Sequence, residues 1–414
     1  MHLSRSKVSR LLKEARSRGI VEVRVPMTSS FSNIINWHQV ADEKPNETVT
    51  IHVMMLQHSF TESLVPLIPE FEKLTGVKVL YNILPAAEYN RKIGVDLSTG
   101  AGLIDVFMTG QYIDWESIYP GWIEPLDDYL DDPTLTDAEW YDLKDFYDQP
   151  LQAHRWDGRT LGKGAYGTGH LYAIPVTYET MSLAYRTDLF EHAGLSVDAD
   201  WPQTWHDILY AAKKLTLDRD GDGSIDQYGI VSRGSPFWES LFGGYSNIFY
   251  SYGASDFDTD MKPGINCEAG IEATNLWVEM MRSCASPRVP DLYWSQVKDS
   301  FAAGDAAMIV DCDWFAPAMF EKPGVSQVAG KLRYASTPPG PDGTRVQDTW
   351  FWALAVNRAS YHKVAAWLFI QWATSKPVML HTTLEYENWN PPRRSIWEDS
   401  EVVAATQKWS NYRD

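Results

Sequence analysis

One stretch, Leu171–Arg186 (LYAIPVTYETMSLAYR), constrains the architecture most. Leu171-Tyr172-Ala173-Ile174-Pro175 has the composition of a short strand, and Pro175, which lacks an N–H, ends regular pairing there. Val176 to Glu179 is short and polar-aromatic, and Met181 to Tyr185 begins a second strand. A strand, a break and a further strand without an intervening helix let a chain walk from one lobe to another. Several βα units precede the stretch and a new set follows it. The pattern predicts the first hinge of a two-lobed α/β protein, with Tyr178 and Glu179 facing the cleft. A plain hairpin inside one sheet is the alternative.

At 414 residues the chain is long for one core and points to two or three domains. No run approaches the ~18 consecutive apolar residues of a membrane-spanning helix. The net charge of -19 favours solubility and disfavours nucleic acid as a partner for the body of the chain. Three cysteines without C-x-x-C spacing imply neither a disulfide framework nor a zinc site. The 18 Trp and 21 Tyr exceed what a core of this size needs, so some are available to line a pocket for a solute with flat C–H faces, such as a sugar. Met1 to Val25 is charged throughout and lacks the apolar core of an export signal.

Residues 1–25 differ from the rest, with seven Lys and Arg against two Glu. Ser4 is placed to cap a helix whose apolar face is Val8, Leu11, Leu12 and Ala15, Gly19 ends it, and Ile20 to Val25 alternates as a strand. The basic face carries Arg5, Lys7 and Arg10, which would be the DNA contacts if this helix entered a groove. The alternative is a solvated basic arm. Residues 26–47 read as a linker.

The body opens with strand, helix, strand, helix, strand: Val49–Leu56, a helix through Leu64, Leu67, Phe71 and Leu74 stopped by Gly76, Val77–Leu84, Tyr89–Leu97 and Ile104–Met108. This βαβαβ order predicts an open parallel sheet with helices on both faces, and such sheets bind ligands beyond the carboxyl ends of their strands. Those ends carry His58 and Gln111. Gly162–Gly167 satisfies G-x-G-x-x-G but follows a polar loop and leads into a strand, so it reads as a turn rather than a dinucleotide site. Thr204 and Asp207 form a potential capping box. Asp218, Asp220, Asp222 and Asp226 stand at positions one, three, five and nine of a Ca²⁺-type loop with Gly223 at six, but Gly229 replaces the bidentate Glu at twelve. A structural Ca²⁺ with fewer ligands and a turn held by Asx hydrogen bonds are the two readings. No cofactor is required.

Two resemblances emerge. S-R-S-K-V-S-R-L-L-K-E-A near the start is similar to the recognition helix of sorbitol-operon-type helix-turn-helix regulators. F-E-K-L-T-G-V-K-V, L-Y-A-I-P-V…S-L-A-Y-R-T-D-L-F, P-Q-T-W-H-D, D-G-D-G-S-I-D-Q-Y-G, F-A-A-G-D-A-A-M…W and K-V-A-A-W-L-F-I-Q-W follow in order. Together they resemble the extracellular solute-binding proteins of ABC importers, in the sugar and sugar-alcohol branch. The resemblance implies a periplasmic-binding-protein-like α/β fold, with lobe one at 48–175 plus 354–395 and lobe two at 176–353 plus 396–414. It implies crossings near Pro175, near Ala353 and between Arg394 and Glu401. It further implies a non-catalytic, extracytoplasmic monomer that hands a sugar or polyol to ABC permease subunits. Ligand contacts would come from His58, Gln111, Tyr178, Glu179, Trp238, Asp311, Trp314, Trp350 and Arg394. A cytoplasmic sugar-responsive regulator using the same cleft and a glycoside hydrolase are the alternatives, although no nucleophile elbow, H-E-x-x-H or P-loop is present.

Overall fold

The computed structural model describes residues 49–195, 201–258 and 260–412. The basic stretch 1–25, its candidates Arg5, Lys7 and Arg10, and the linker 26–47 lie outside the described residues. Among the described residues, seven strands form the main sheet: β1 (Thr50–Leu56), β2 (Lys78–Leu84), β3 (Val106–Gly110), β4 (Ala173–Arg186), β5 (Met308–Cys312), β6 (Leu332–Ala335) and β7 (Thr349–Val356). Their order is β2-β1-β3-β7-β4-β5, with β6 also on β4. β1 runs parallel to β2 and β3, and β7 runs antiparallel to both β3 and β4.

β4 changes partners along its length. Ala173 to Thr180 pairs with β7, whereas Met181 to Arg186 pairs with β5 and β6. One strand therefore belongs to two sheets. The break expected at Pro175 is absent, and the segment is a single strand of 14 residues. The pairing absorbs the missing proline N–H by a register shift between Pro175 and Thr177, a local bulge rather than an end. Trp350 and Trp352 lie inside β7.

Each sheet region has its own core. The first gathers β1, β3, β7 and the start of β4 around Phe71, Trp367 and Trp372, with the last two from helix Lys363–Ala373. The second sheet is covered on both faces. Leu183, Tyr185, Met308 and Val310 pack on Trp205 and Ile208 on one face, while Met181, Ala184 and Ile309 pack on Val297 and Phe301 on the other. Each such side chain contributes roughly 1.5–3 kcal/mol by leaving water.

Local signals set the ends of these helices. Gly76, at φ 74°, terminates helix Ile68–Thr75 and donates its N–H to Glu72 O, a conformation that suits glycine. Helix Trp205–Leu215 starts with the capping box read from the sequence: Asp207 N donates to Thr204 Oγ1 at 3.2 Å, and Thr204 N donates to Asp207 Oδ2 at 2.8 Å. Gly162–Ala165 is a short 3-10 turn, with no helix placed as a dinucleotide site requires.

The tail departs from expectation. Residues 396–414 were assigned to lobe two, yet Ile396, Val402 and Trp409 lie in the first core. Trp409 stacks edge-on against Trp389, with ring centroids 4.8 Å apart. Only at Asn411 and Tyr412 does the chain reach the second sheet. Asn411 holds both backbone groups of Tyr334 at 2.9 Å, and the Tyr412 ring lies 5.6 Å from that of Tyr334. The last passage between cores thus falls near Trp409–Tyr412 rather than Arg394–Glu401, because the apolar face of helix Ser400–Thr406 is drawn to the larger core first.

Candidate functional site

The shared strand carries the site. Glu179 of β4 lies directly opposite Trp350 of β7, and Thr177 lies opposite Trp352. Alternation puts Glu179, Trp350 and Trp352 on one face, with the two indole centroids 5.3 Å apart. Tyr178 and Phe351, one residue along, point to the other face. Both Tyr178 and Glu179 therefore reach recesses, but different ones.

Glu179 Oε1 accepts from Trp352 Nε1 at 3.0 Å and lies 3.2 Å from His58 Nε2. His58 Nδ1 accepts the N–H of Phe60 at 3.1 Å, capping helix Ser59–Leu64. A ring nitrogen that accepts carries no proton, so the imidazole proton sits on Nε2 and is donated to Glu179. Burial pushes the Glu179 carboxyl up. The hydrogen bonds from His58 and the Trp352 indole and the Arg233 charge outweigh it and hold the group below the usual carboxylate range.

Beside Glu179 lies a small chamber with a cavity volume of about 60 Å³. Tyr112, Trp350 and Trp352 reach it from the first core's side, and Arg233, Glu239 and Phe242 from the second. Two glycines keep its walls in place. A Cβ on Gly110 would stand 2.4 Å from the Trp350 ring, and one on Gly243 would stand 2.7 Å from Arg233 Cγ.

Arg233 was not singled out in the sequence. Its Nε donates to Asp311 Oδ2 at 2.8 Å, its Nη2 donates to Asp311 Oδ1, and its Nη1 donates to Glu239 O at 3.2 Å. The pair is buried, with side chains 5% and 1% exposed. Burial pulls the guanidinium pKa down, but Asp311 and the neighbouring Cys312 and Glu179 raise it above its ordinary value. Asp311, expected to touch the ligand, instead fixes Arg233, and Arg233 is the residue that lines the chamber. Glu239 accepts from the Tyr293 hydroxyl; burial pushes its carboxyl up, only partly offset by Tyr293 and Arg233.

A wider recess of about 1130 Å³ adjoins this chamber and shares Tyr112, Phe242 and Trp350 with it. Tyr178 lines this recess, edge-on to Tyr147. Gln111 also lines it, but both ends of its amide are engaged: Nε2 donates to Thr349 O and Oε1 accepts from Phe351 N, each at 3.0 Å. Gln111 thus braces β7. A third, small recess of about 30 Å³ lies behind Glu179, lined by His58, Trp314 and Trp389. The indole N–H groups of Trp314 and Trp389 are buried there without a hydrogen-bond partner in the protein. Both are donors suited to a solute oxygen.

One candidate stands elsewhere. Arg394 donates to Lys144 O at 2.8 Å and to Phe146 O, which ties the 390–394 turn to a loop of the first core rather than presenting the guanidinium to the cleft. Its neighbour Arg393 is buried on Thr374 O, Tyr141 O and Asp145. The backbone of Trp238 lies in the 3-10 turn Trp238–Leu241, but its side chain falls outside the described residues. At the acidic turn, the carboxylates of Asp218, Asp220 and Asp222 come within 4.8 Å of one another. Asp226 does not join them, because its Oδ2 accepts from Arg219 N at 2.6 Å.

A strand shared by two sheets, with a polar-aromatic chamber walled from both sides, defines a two-lobed receptor for a small solute. Residues 57–379 match the bacterial extracellular solute-binding protein family, and the chain belongs to it. Membership places it among binding proteins rather than hydrolases. It is 33% identical over 362 residues to the erythritol/L-threitol-binding protein of Mycolicibacterium smegmatis, covering 86% of this chain and 73% of that protein. Its fold is similar to that of an ABC transporter solute-binding protein from Agrobacterium radiobacter in complex with ribitol (TM-score 0.71, 26% identity, 89% of this chain and 86% of that one). It is also similar to one from Agrobacterium vitis with bound D-mannitol (TM-score 0.70, 28% identity, 86% and 80%). Among the described residues no helix is long and apolar enough to cross a membrane.

Proposed function

We propose that this protein is the substrate-binding component of an ABC transporter and that its solute is a sugar alcohol or small sugar. The observation that carries this reading is the Glu179 chamber. A carboxylate is fixed there by His58 and Trp352 beside indole plates, with Arg233 and Glu239 facing it from the second core. Fixed acceptors and donors suit vicinal hydroxyls, and aromatic faces suit C–H surfaces. The polyols named for the similar proteins support the same class. Contacts to both lobes favour the closed form, and the loaded monomer hands its cargo unchanged to permease subunits. Calorimetric titration with erythritol, ribitol, mannitol and maltotriose tests this. One-to-one binding of at least one alditol is expected. A well-folded sample that binds none of the alditols contradicts the reading.

A structural Ca²⁺ at Asp218, Asp220 and Asp222 belongs to the proposal as an accessory. Its expected signature is a calcium-dependent rise in Tm that Asp220→Asn abolishes. An equal Tm in calcium and in chelator contradicts it.

A further inference from the structure

Charge is distributed unevenly around the chamber and the wider recess that adjoins it. Among the described residues lining that recess there are three carboxylates, Glu116, Asp256 and Asp348, and no Lys or Arg. Asp256 accepts from the Tyr250 hydroxyl at 2.5 Å and Asp348 from the Ser246 hydroxyl at 2.8 Å. Neutral donors orient these groups without cancelling their charge. Glu179 and Glu239 line the chamber itself, and Arg233 is the one cation among its described lining residues.

That cation is already committed. Asp311 takes its Nε and Nη2 edge in a two-pronged pair, Nη2 lies 3.1 Å from Cys312 Sγ, and Nη1 donates to Glu239 O. The edge that would grip a carboxylate with two parallel hydrogen bonds is occupied by the protein's own Asp311. One Nη1 N–H remains for a hydroxyl. His58 does not redress the balance, because its Nδ1 accepts the Phe60 amide and the neutral ring donates from Nε2. Glu239, in turn, is bonded to a neutral phenol, Tyr293.

We infer that the site selects by charge as well as by hydroxyl pattern: it takes uncharged polyhydroxy solutes and rejects the corresponding sugar acids. An aldonate differs from its alditol by a terminal carboxylate in place of a CH₂OH. Its carboxylate would lie beside the three acidic residues of the adjoining recess and against Glu179 and Glu239, with no two-pronged guanidinium edge to receive it. The inference rests on the polyol-binding reading and narrows it.

The test is paired calorimetric titration of the wild-type protein with erythritol and erythronate, ribitol and ribonate, and mannitol and mannonate. For each alditol that binds, the matching aldonate is expected to bind at least ~100-fold more weakly, the scale set by two unit charges facing a third across a partly screened chamber. Aldonate affinities within ~10-fold of the alditols would overturn the inference while leaving the polyol reading intact. Failure of all six ligands would overturn both. Glu239→Gln and the recess variant Glu116→Gln/Asp256→Asn, checked for native circular dichroism, locate the effect. At least one is expected to narrow the alditol-to-aldonate ratio by ~10-fold, because each removes negative charge from around the chamber. An unchanged ratio in both variants would overturn the electrostatic origin.

Discussion

Single side chains carry most of the chemistry. Glu179 is held by two donors, so Glu179→Gln, which turns an acceptor into a group that also donates, is expected to weaken solute binding by ~10–100-fold, the scale of a charge-assisted hydrogen bond. Titration calorimetry reads the change, and wild-type affinity would show that Glu179 does not touch the solute. Arg233→Ala would leave Asp311 buried and unpaired, at a cost of about 3–5 kcal/mol. Chemical denaturation measures this loss, and a stability unchanged from wild type would contradict the pairing. Glu179, Trp314 and Trp350 stand out in the sequence as a carboxylate and indoles, and the structure places Glu179 and Trp350 at the chamber and Trp314 at the recess beside it. Arg233 does not stand out, since a lone arginine after a short apolar run carries no periodic signal, and its role depends on a partner 78 residues away. Asp311 was noticed for its carboxylate, but only the fold shows that the carboxylate faces an arginine.

Elements were easier to read than their joins. The βαβαβ opening, the Gly76 stop and the Thr204–Asp207 capping box all follow from local chemistry, and Thr204→Ala is expected to cost about 1 kcal/mol. Partner exchange along β4 was not legible, because a strand's sequence does not say which strands lie beside it. The join between cores also carries a titratable group. Asp313 Oδ1 accepts from Thr180 N at 3.0 Å and from Asn390 Nδ2 at 2.8 Å, and the Tyr412 hydroxyl reaches Asn390 Oδ1 at 3.0 Å. Burial, helped by the charge of Glu179 and opposed by these hydrogen bonds, pushes the Asp313 carboxyl up to about 7. An acid whose pKa is higher in the folded state holds its proton more tightly there than when unfolded. Between its ordinary value near 3.8 and about 7, Asp313 therefore lowers stability as pH rises. Asp313→Asn keeps the acceptor and removes the charge. Its Tm relative to wild type is expected to be higher at pH 8 than at pH 5, and an equal difference at both values would contradict this assignment. Glu179 acts in the opposite sense: its lowered pKa contributes stability that is lost as pH falls below the ordinary carboxylate range.

At the scale of the molecule, two cores meet along one shared strand, and the chamber beside Glu179 takes its walls from both. The two-core plan was readable from the order of elements. The tail was not, because where helix Ser400–Thr406 docks depends on which core offers the larger apolar face. On the proposed reading, a solute that touches Trp352 and Arg233 together would draw the two halves toward each other and so couple binding to closure. A crystal structure of the protein grown with the alditol it binds tests this most directly. The account predicts density for an intact polyol against Glu179, contacted by residues of both cores. Density confined to one core, or placed away from β4, would contradict it.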